Sequence, residues 1–272
     1  MNNTLGYDIA VTKLRKFFKE EKGFTEVPTQ SRLSILAACE DPKTISQFVF
    51  DGINYPLPQT GQMWLEHELL IKPDLQGVFC VSTSYRNEPN PIPGRHQKIF
   101  PMFEFESHGD MKDMIELEKE LLIYLNFKEP IKLHYEDACK KYKTLSIEVE
   151  HEEDMCKKDS IISLQYFPQR SQPFWNMKYC GKGLYSKVDV IMYGQETIGS
   201  AERSCNPDEM YKSFMEISGG KYSSLLFEHF TRGRVLNELE QYLSHDFFPR
   251  FGAGIGMTRM VRAMEEGGIL NG

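Results

Sequence analysis

Apolar and polar positions alternate with a period of two on either side of a break at residues 89–94. Before it, Val81, Thr83 and Tyr85 fall on one side of the chain and Ser84, Arg86 and Glu88 on the other. After it, Phe100, Met102, Glu104 and Glu106 share a side, opposite Pro101, Phe103 and Phe105. A period of two marks a strand. Pro89, Pro91, Pro93 and Gly94 suit neither strand nor helix, so the pattern predicts two antiparallel strands joined by a long loop.

Other stretches complete the outline. Ile9, Leu14, Phe17 and Phe18 among lysines predict a helix over 6–22. The strand that follows holds Pro28, which places it at an edge or interface. Residues 47–57 read as a strand, and 110–127 as an amphipathic helix that Asp110 can cap. Residues 135–180 read as inserted helices and loops without chemistry, with Trp175 there for packing. Val188, Val190 and Met192 alternate with Asp189, Ile191 and Tyr193 in a further strand. Near the end, an apolar run meets Gly252, Gly254 and Gly256, and then Met257, Met260, Val261 and Met264 line one face of a helix. Connections without crossovers and segregated helices make the expected class α+β.

Composition narrows the picture only modestly. The 272 residues are 40% hydrophobic and 26% charged, as in an ordinary globular protein. No apolar run approaches a membrane span, and the N-terminus lacks a secretory pattern. Six cysteines without metal-ligand spacing read as reduced thiols, so the expected location is cytoplasmic. A net charge of −7 argues against a broad basic nucleic-acid footprint.

The polar face of the 81–106 hairpin carries an arginine, three glutamates and one aromatic ring. One reading is a solvated outer face. The other is the floor for an anionic, flat ligand, with Arg86 on a phosphate and Phe100 on a base, because unpaired charges on a covered sheet face cost several kcal/mol each. The glycine run allows close approach to its backbone, and Arg259, in the first helical turn, leans back towards it. Its G-x-G-x-G spacing, with no crossover unit following, is not the dinucleotide fingerprint.

These stretches together resemble the three signature motifs of class II aminoacyl-tRNA synthetases. Gly23-Phe24 to Pro28 is similar to motif 1, Tyr85-Arg86-Asn87-Glu88 with Arg95-His96 and Phe100 to motif 2, and Gly252 to Arg259 to motif 3. The subgroup handling aspartate, asparagine and lysine is nearest. The resemblance implies one catalytic domain over 1–272, with a mostly antiparallel β-sheet flanked by helices and a homodimer formed through the 6–22 helix and the strand after it. It implies that Arg86 steadies the α-phosphate of ATP, that Arg259, Arg95 and His96 hold the distal phosphates, that Glu88 joins the ATP site, and that Phe100 stacks on adenine. Asp189 and Glu196, seven residues apart, would hold Mg²⁺, and Arg203, seven further on, would read the amino-acid side chain. Gln62 and Glu66, in a Thr-Gly-Gln stretch like that of asparaginyl enzymes, and Glu40, after Cys39, would complete the amino-acid pocket. A solvated loop acid is the other reading of Glu40, and a surface helix position that of Glu66.

Three departures stand out. Asp41-Pro42 replaces the glycine expected after Glu40, Leu65 stands where aspartate enzymes have a lysine, and Ser200-Ala201 stands where Gly-Ser is usual. Arg203 also bears on substrate choice: at ~4 Å and an effective dielectric of ~20, a like-charged lysine would cost on the order of 4 kcal/mol. Aspartate and asparagine both remain, with Glu66 beside Arg203 leaning towards a neutral amide or zwitterionic partner. With no room for an anticodon-binding domain before Gly6, the expectation is an ATP-dependent ligase like the archaeal asparagine synthetases related to asparaginyl-tRNA synthetase, passing activated aspartate to ammonia. Transfer to a tRNA or protein, and a non-catalytic regulatory subunit, are the alternatives.

Overall fold

The computed structural model describes residues 3–30, 32–95 and 97–271. In chain order it has α1 (Thr4–Lys16), which widens into a π-type turn over Phe17–Glu21, then β1 (Thr25–Glu26), β2 (Gln47–Phe50), β3 (Ile53–Pro56), α2 (Gln62–Ile71), β4 (Gly77–Tyr85) and β5 (Ile99–His108). There follow α3 (Met111–Tyr124), β6 (Ile131–His134), α4 (Tyr135–Tyr142), α5 (Val149–Met155), β7 (Ile161–Pro168), β8 (Tyr179–Gly181), β9 (Leu184–Met192) and β10 (Gln195–Glu202). The chain ends with α6 (Pro207–Glu216), α7 (Lys221–Phe230), α8 (Arg232–Leu243), β11 (Arg250–Gly256) and α9 (Met257–Glu266).

One large sheet runs in the order β1-β4-β5-β11-β10-β9-β7-β6, with β8 attached to β9. Its pairs are antiparallel except β1 with β4 and β6 with β7. The expected α+β architecture, a mostly antiparallel sheet with helices against it, is therefore what the chain adopts. The alternation in β5 sorts its side chains as the pattern requires. Phe103 and Phe105 are fully buried on one face, where the Phe18 ring lies 5.1 and 4.6 Å from theirs. Leu14, Met257, Met260 and Met264 from α1 and α9 join the same core. Asp110 caps α3 by accepting from the amides of Lys112 and Asp113, and Asp113 returns a bond to its amide.

Three expectations need correction. β1 ends at Glu26, so Pro28 lies beyond the strand that was expected to hold it. Residues 47–57 form a separate two-stranded hairpin, because Asp51 (φ 50°) and Gly52 (φ 74°) reverse the chain between β2 and β3. Positive φ at both central residues matches the twist of a tight hairpin. Residues 135–180 are more than inserted helices and loops. β7 lies inside the main sheet between β6 and β9, and Ile161, Ile162 and Leu164 are buried. With both faces covered, its run Ile-Ile-Ser-Leu lacks the alternation that would reveal a strand. Trp175 is packing, as expected, edge-on to Phe214 and Tyr242. Among the described residues no helix is long and apolar enough to cross a membrane.

Candidate active site

The floor of the site is the polar face of β5 and its neighbours. β11 pairs with β5 so that Gly252, Gly254 and Gly256 stand opposite Glu106, Glu104 and Met102. A Cβ on Gly252 would fall 1.6 Å from Glu106 Oε2, and one on Gly254 2.9 Å from Met102 Cε. Those glycines thus make room for the side chains of β5, a need the spacing alone did not disclose. Glu104 and Glu106 are both fully buried, which removes the solvated-face reading. Thr60 and Ser82 hydroxyls and the Gly61 amide donate to Glu104. Burial raises its pKa against these three donors.

Above this floor opens a cavity of about 500 Å³ lined by Arg86, Arg95, Phe100, Glu196, Arg203 and Arg259 among others. Residues 86 and 259 meet there because β11 inserts between β5 and β10. The Arg86 guanidinium lies 5.8 Å from the Phe100 ring centroid and pairs with Glu40. Its Nε is buried without a hydrogen-bond partner among the described residues. Arg95 pairs with Glu152 and donates to the Gly194 carbonyl at 3.0 Å. Arg259 donates to the Glu196 carbonyl at 2.6 Å. Burial lowers the Arg259 pKa, and the positive charges of Arg95 and Arg86 push the same way. Three guanidiniums crowded into one cleft favour a polyanionic ligand. Glu88 lines the same cavity. His96 lies outside the described residues.

The far end of the cavity is a buried ionic cluster. Arg203 donates to both Glu106 oxygens, at 2.9 and 3.1 Å, and to Gln62 Oε1. Glu66 is fully buried, so it is not a surface helix position. Its Oε2 accepts from Arg250 at 2.9 Å and from the Tyr242 hydroxyl at 2.7 Å, and its Oε1 accepts from Asn176 at 2.6 Å. Burial pushes Glu66 up, but Arg250 and Arg203 outweigh it and the net shift is down. Glu106, by contrast, is pushed up to about 7 by burial, and Glu66 adds to the push. The sequence reading brought Gln62, Glu66 and Arg203 together and missed Arg250, Tyr242 and Asn176. Arg250 directly precedes the glycine run, but the sequence held no sign that Glu66 is its partner.

Asp189 and Glu196 converge over the backbone of Gly199. A Cβ there would meet Glu196 Oε1 at 2.9 Å and Asp189 Oδ1 at 3.7 Å. Asp189 has a partner not foreseen, Lys187, whose Nζ lies 2.7 Å from each of its oxygens. Burial, with Glu196 and Glu152, pushes Asp189 up to about 7 in spite of that lysine. Among the described residues no group of three or more His, Cys, Asp or Glu side chains is arranged to hold a metal ion. Mg²⁺ asks for near-octahedral oxygens and commonly shares phosphate ligands with one or two carboxylates. Glu196, whose side chain is 41% exposed, fits that role, whereas the Asp189 oxygens already accept from an ammonium.

Comparison with known proteins agrees with this geometry. A family model described as tRNA synthetases class II (D, K and N) matches residues 1–267. The fold is similar to that of asparaginyl-tRNA synthetase from Pyrococcus horikoshii complexed with asparaginyl-adenylate, with a TM-score of 0.79 and 18% identity over 96% of this chain and 64% of that one. It is also similar to Entamoeba histolytica asparaginyl-tRNA synthetase in complex with asparaginyl-adenylate (TM-score 0.70, 20% identity, 95% of this chain and 62% of that one). Aspartyl-tRNA synthetase from the same organism gives a TM-score of 0.71 at 18% identity, over 95% of this chain and 54% of that one. The chain thus spans less than two thirds of the length of these structures. No curated protein matches the sequence.

Proposed function

The chain belongs to the class II tRNA synthetases of the aspartate, lysine and asparagine group, and from that premise we propose that it joins ATP to aspartate or asparagine as an aminoacyl-adenylate. The observation that carries this reading is the meeting of Arg86, Arg95 and Arg259 with the buried Arg203–Glu106 cluster in one cavity of about 500 Å³. One end presents cations to phosphates, and the other presents a guanidinium to a short polar side chain. The adenylates in the two asparaginyl-tRNA synthetase complexes support the same assignment.

In the proposed reaction a carboxylate oxygen of the amino acid attacks the α-phosphorus of ATP, a P–O bond forms, and the bond to pyrophosphate breaks. The attacking group is already ionised, so no proton need move. Catalysis rests on alignment and charge neutralisation. Arg86 steadies the α-phosphate, its free Nε being a donor without another partner among the described residues. Arg259 and Arg95 hold the distal phosphates, with Glu88 and His96 assigned to the same nucleotide. Phe100, beside Arg86, stacks on adenine. Arg203 and Gln62 read the side chain, and Glu66 holds Arg203 in place. Glu40, paired with Arg86 across the mouth of the cavity, exchanges that partner for the substrate ammonium. Glu196, with Asp189 alongside, would hold Mg²⁺, which would supply charge neutralisation of the leaving pyrophosphate.

For the acceptor we propose ammonia: with aspartate seated in the reverse sense, its α-carboxylate on Arg203 and its side-chain carboxylate joined to AMP, ammonia attacks the side-chain acyl carbon, AMP leaves and asparagine forms. The resemblance of the sequence to archaeal asparagine synthetases supports this acceptor. ATP–pyrophosphate exchange across all amino acids tests activation, and exchange with aspartate or asparagine alone is expected. Background exchange with every amino acid would refute an enzymatic role and leave a binding subunit. Ammonia-dependent asparagine and AMP in RNA-free solution support the ammonia reading, and release only when tRNA is added refutes it.

A further inference from the structure

Lys187 faces the cavity, yet no step above uses it. It sits on β9 two positions before Asp189 and therefore on the same face of the strand. Its Nζ is 2.7 Å from Asp189 Oδ1 and 2.7 Å from Oδ2. From the other side the ring of Phe167, on the neighbouring β7, lies with its centroid 3.7 Å from the same nitrogen. A carboxylate and a ring face thus hold the ammonium from two directions. Its side chain is only 21% exposed, so the charge is fixed in place rather than waving in solvent.

An ammonium carries three donors. Asp189 and the Phe167 ring hold it on two sides, and Lys187 also lines the cavity together with Glu196 and Gly199. A divalent ion beside that ammonium would be repelled twice as strongly as a monovalent one at the same distance. The lysine and a metal ion therefore compete for Asp189 rather than share it.

We propose that Lys187 acts as a built-in cation in place of a metal ion at Asp189, so that divalent metal in this site is held by Glu196 and nucleotide phosphates alone. The inference rests on the nucleotide site proposed above. It changes what Asp189 does: the carboxylate orients the lysine, and the lysine presents its remaining N–H to the phosphates.

The test counts metal ions. The full chain is titrated with α,β-methylene-ATP and Mn²⁺, with bound nucleotide read by calorimetry and bound Mn²⁺ by electron paramagnetic resonance. Lys187→Met is expected to hold one more Mn²⁺ per bound nucleotide than wild type, and Lys187→Arg the wild-type number. Equal numbers in wild type and Lys187→Met overturn the proposal. Should Lys187→Met not fold, the charge-neutral pair Lys187→Met with Asp189→Asn gives an independent answer. It is expected to keep the wild-type number, and loss of one ion relative to wild type overturns the proposal, because Asp189 was then a ligand. Wild type binding no nucleotide at all overturns the nucleotide reading and this inference with it, whereas normal nucleotide binding with unfavourable ion numbers removes only the inference.

Discussion

Arg86, whose Nε has no partner among the described residues, and its neighbour Phe100 stand at the proposed nucleotide end of the cavity. Arg86→Ala is expected to lower the rate of adenylate formation by roughly 10²–10³, as for other donors aimed at transition-state charge. A rate within threefold of wild type in pyrophosphate exchange would remove it from that role. Arg250 acts on stability instead. It and Glu66 are both fully buried, 2.9 Å apart. Arg250→Met removes the guanidinium bonded to Glu66, leaves Arg203 at 3.6 Å as its nearest cation, and is expected to cost ~3–5 kcal/mol in urea unfolding, with much of that regained when Glu66→Leu is added. Glu118 on α3 titrates in the useful range, pushed up to about 8 by burial, and one of its oxygens has no hydrogen-bond partner among the described residues. A carboxyl whose folded pKa exceeds its unfolded value weakens the fold as pH rises from about 4.5 towards 8. Glu118→Gln should therefore match wild type near pH 5 and exceed it increasingly up to pH 8. A midpoint difference in urea that stays constant with pH would contradict this.

At the scale of elements, β11 matters most, because its glycines decide what β5 can carry. Gly252 lies in register with Glu106, and a methyl there would overlap the carboxylate and also meet the Phe105 carbonyl at 2.7 Å. Gly252→Ala is expected to destabilise the chain by ~1–3 kcal/mol and to raise KM for the amino acid, since Glu106 can no longer hold Arg203. Unchanged unfolding and KM would show that the strand yields without disturbing the pair. Elements also show how far the sequence could be read. The 81–106 hairpin, α3 with its Asp110 cap and the Met-lined α9 were legible, because each buries one face and its period reports that. The β2–β3 turn was legible in Asp51-Gly52, a strong hairpin signal that a single strand over 47–57 leaves unused. β7 was not legible, since burial on both faces erases the period.

Across the whole molecule, the candidate site forms where the last part of the chain, β11 and α9, meets β5 and β10. β11 and α9, from the last part of the sequence, lie against β5 and α1. A homodimer through α1 and β1 is proposed from the family resemblance. Leu5 and Ile9 on α1 are 77% and 37% exposed, and β1 is the edge of the sheet. Light scattering is expected to give twice the chain mass at micromolar concentration, and Leu5→Glu with Ile9→Glu to halve it. A wild-type monomer would rule the dimer out.

The candidate site was legible in Arg86, Arg95, Arg203 and Arg259 and in the acids Glu66 and Glu196, because motif spacing keeps such residues in order along the chain. The partners of those charges were hidden. Glu66 with Arg250 and Arg203 with Glu106 are pairs across strands and helices remote in sequence, set by the order of strands in the sheet. Alternation and glycine spacing, by themselves, determined which residues share a face, because backbone geometry is local. Which faces oppose one another, and so which charge neutralises which, was decided only by long-range packing of β11 between β5 and β10.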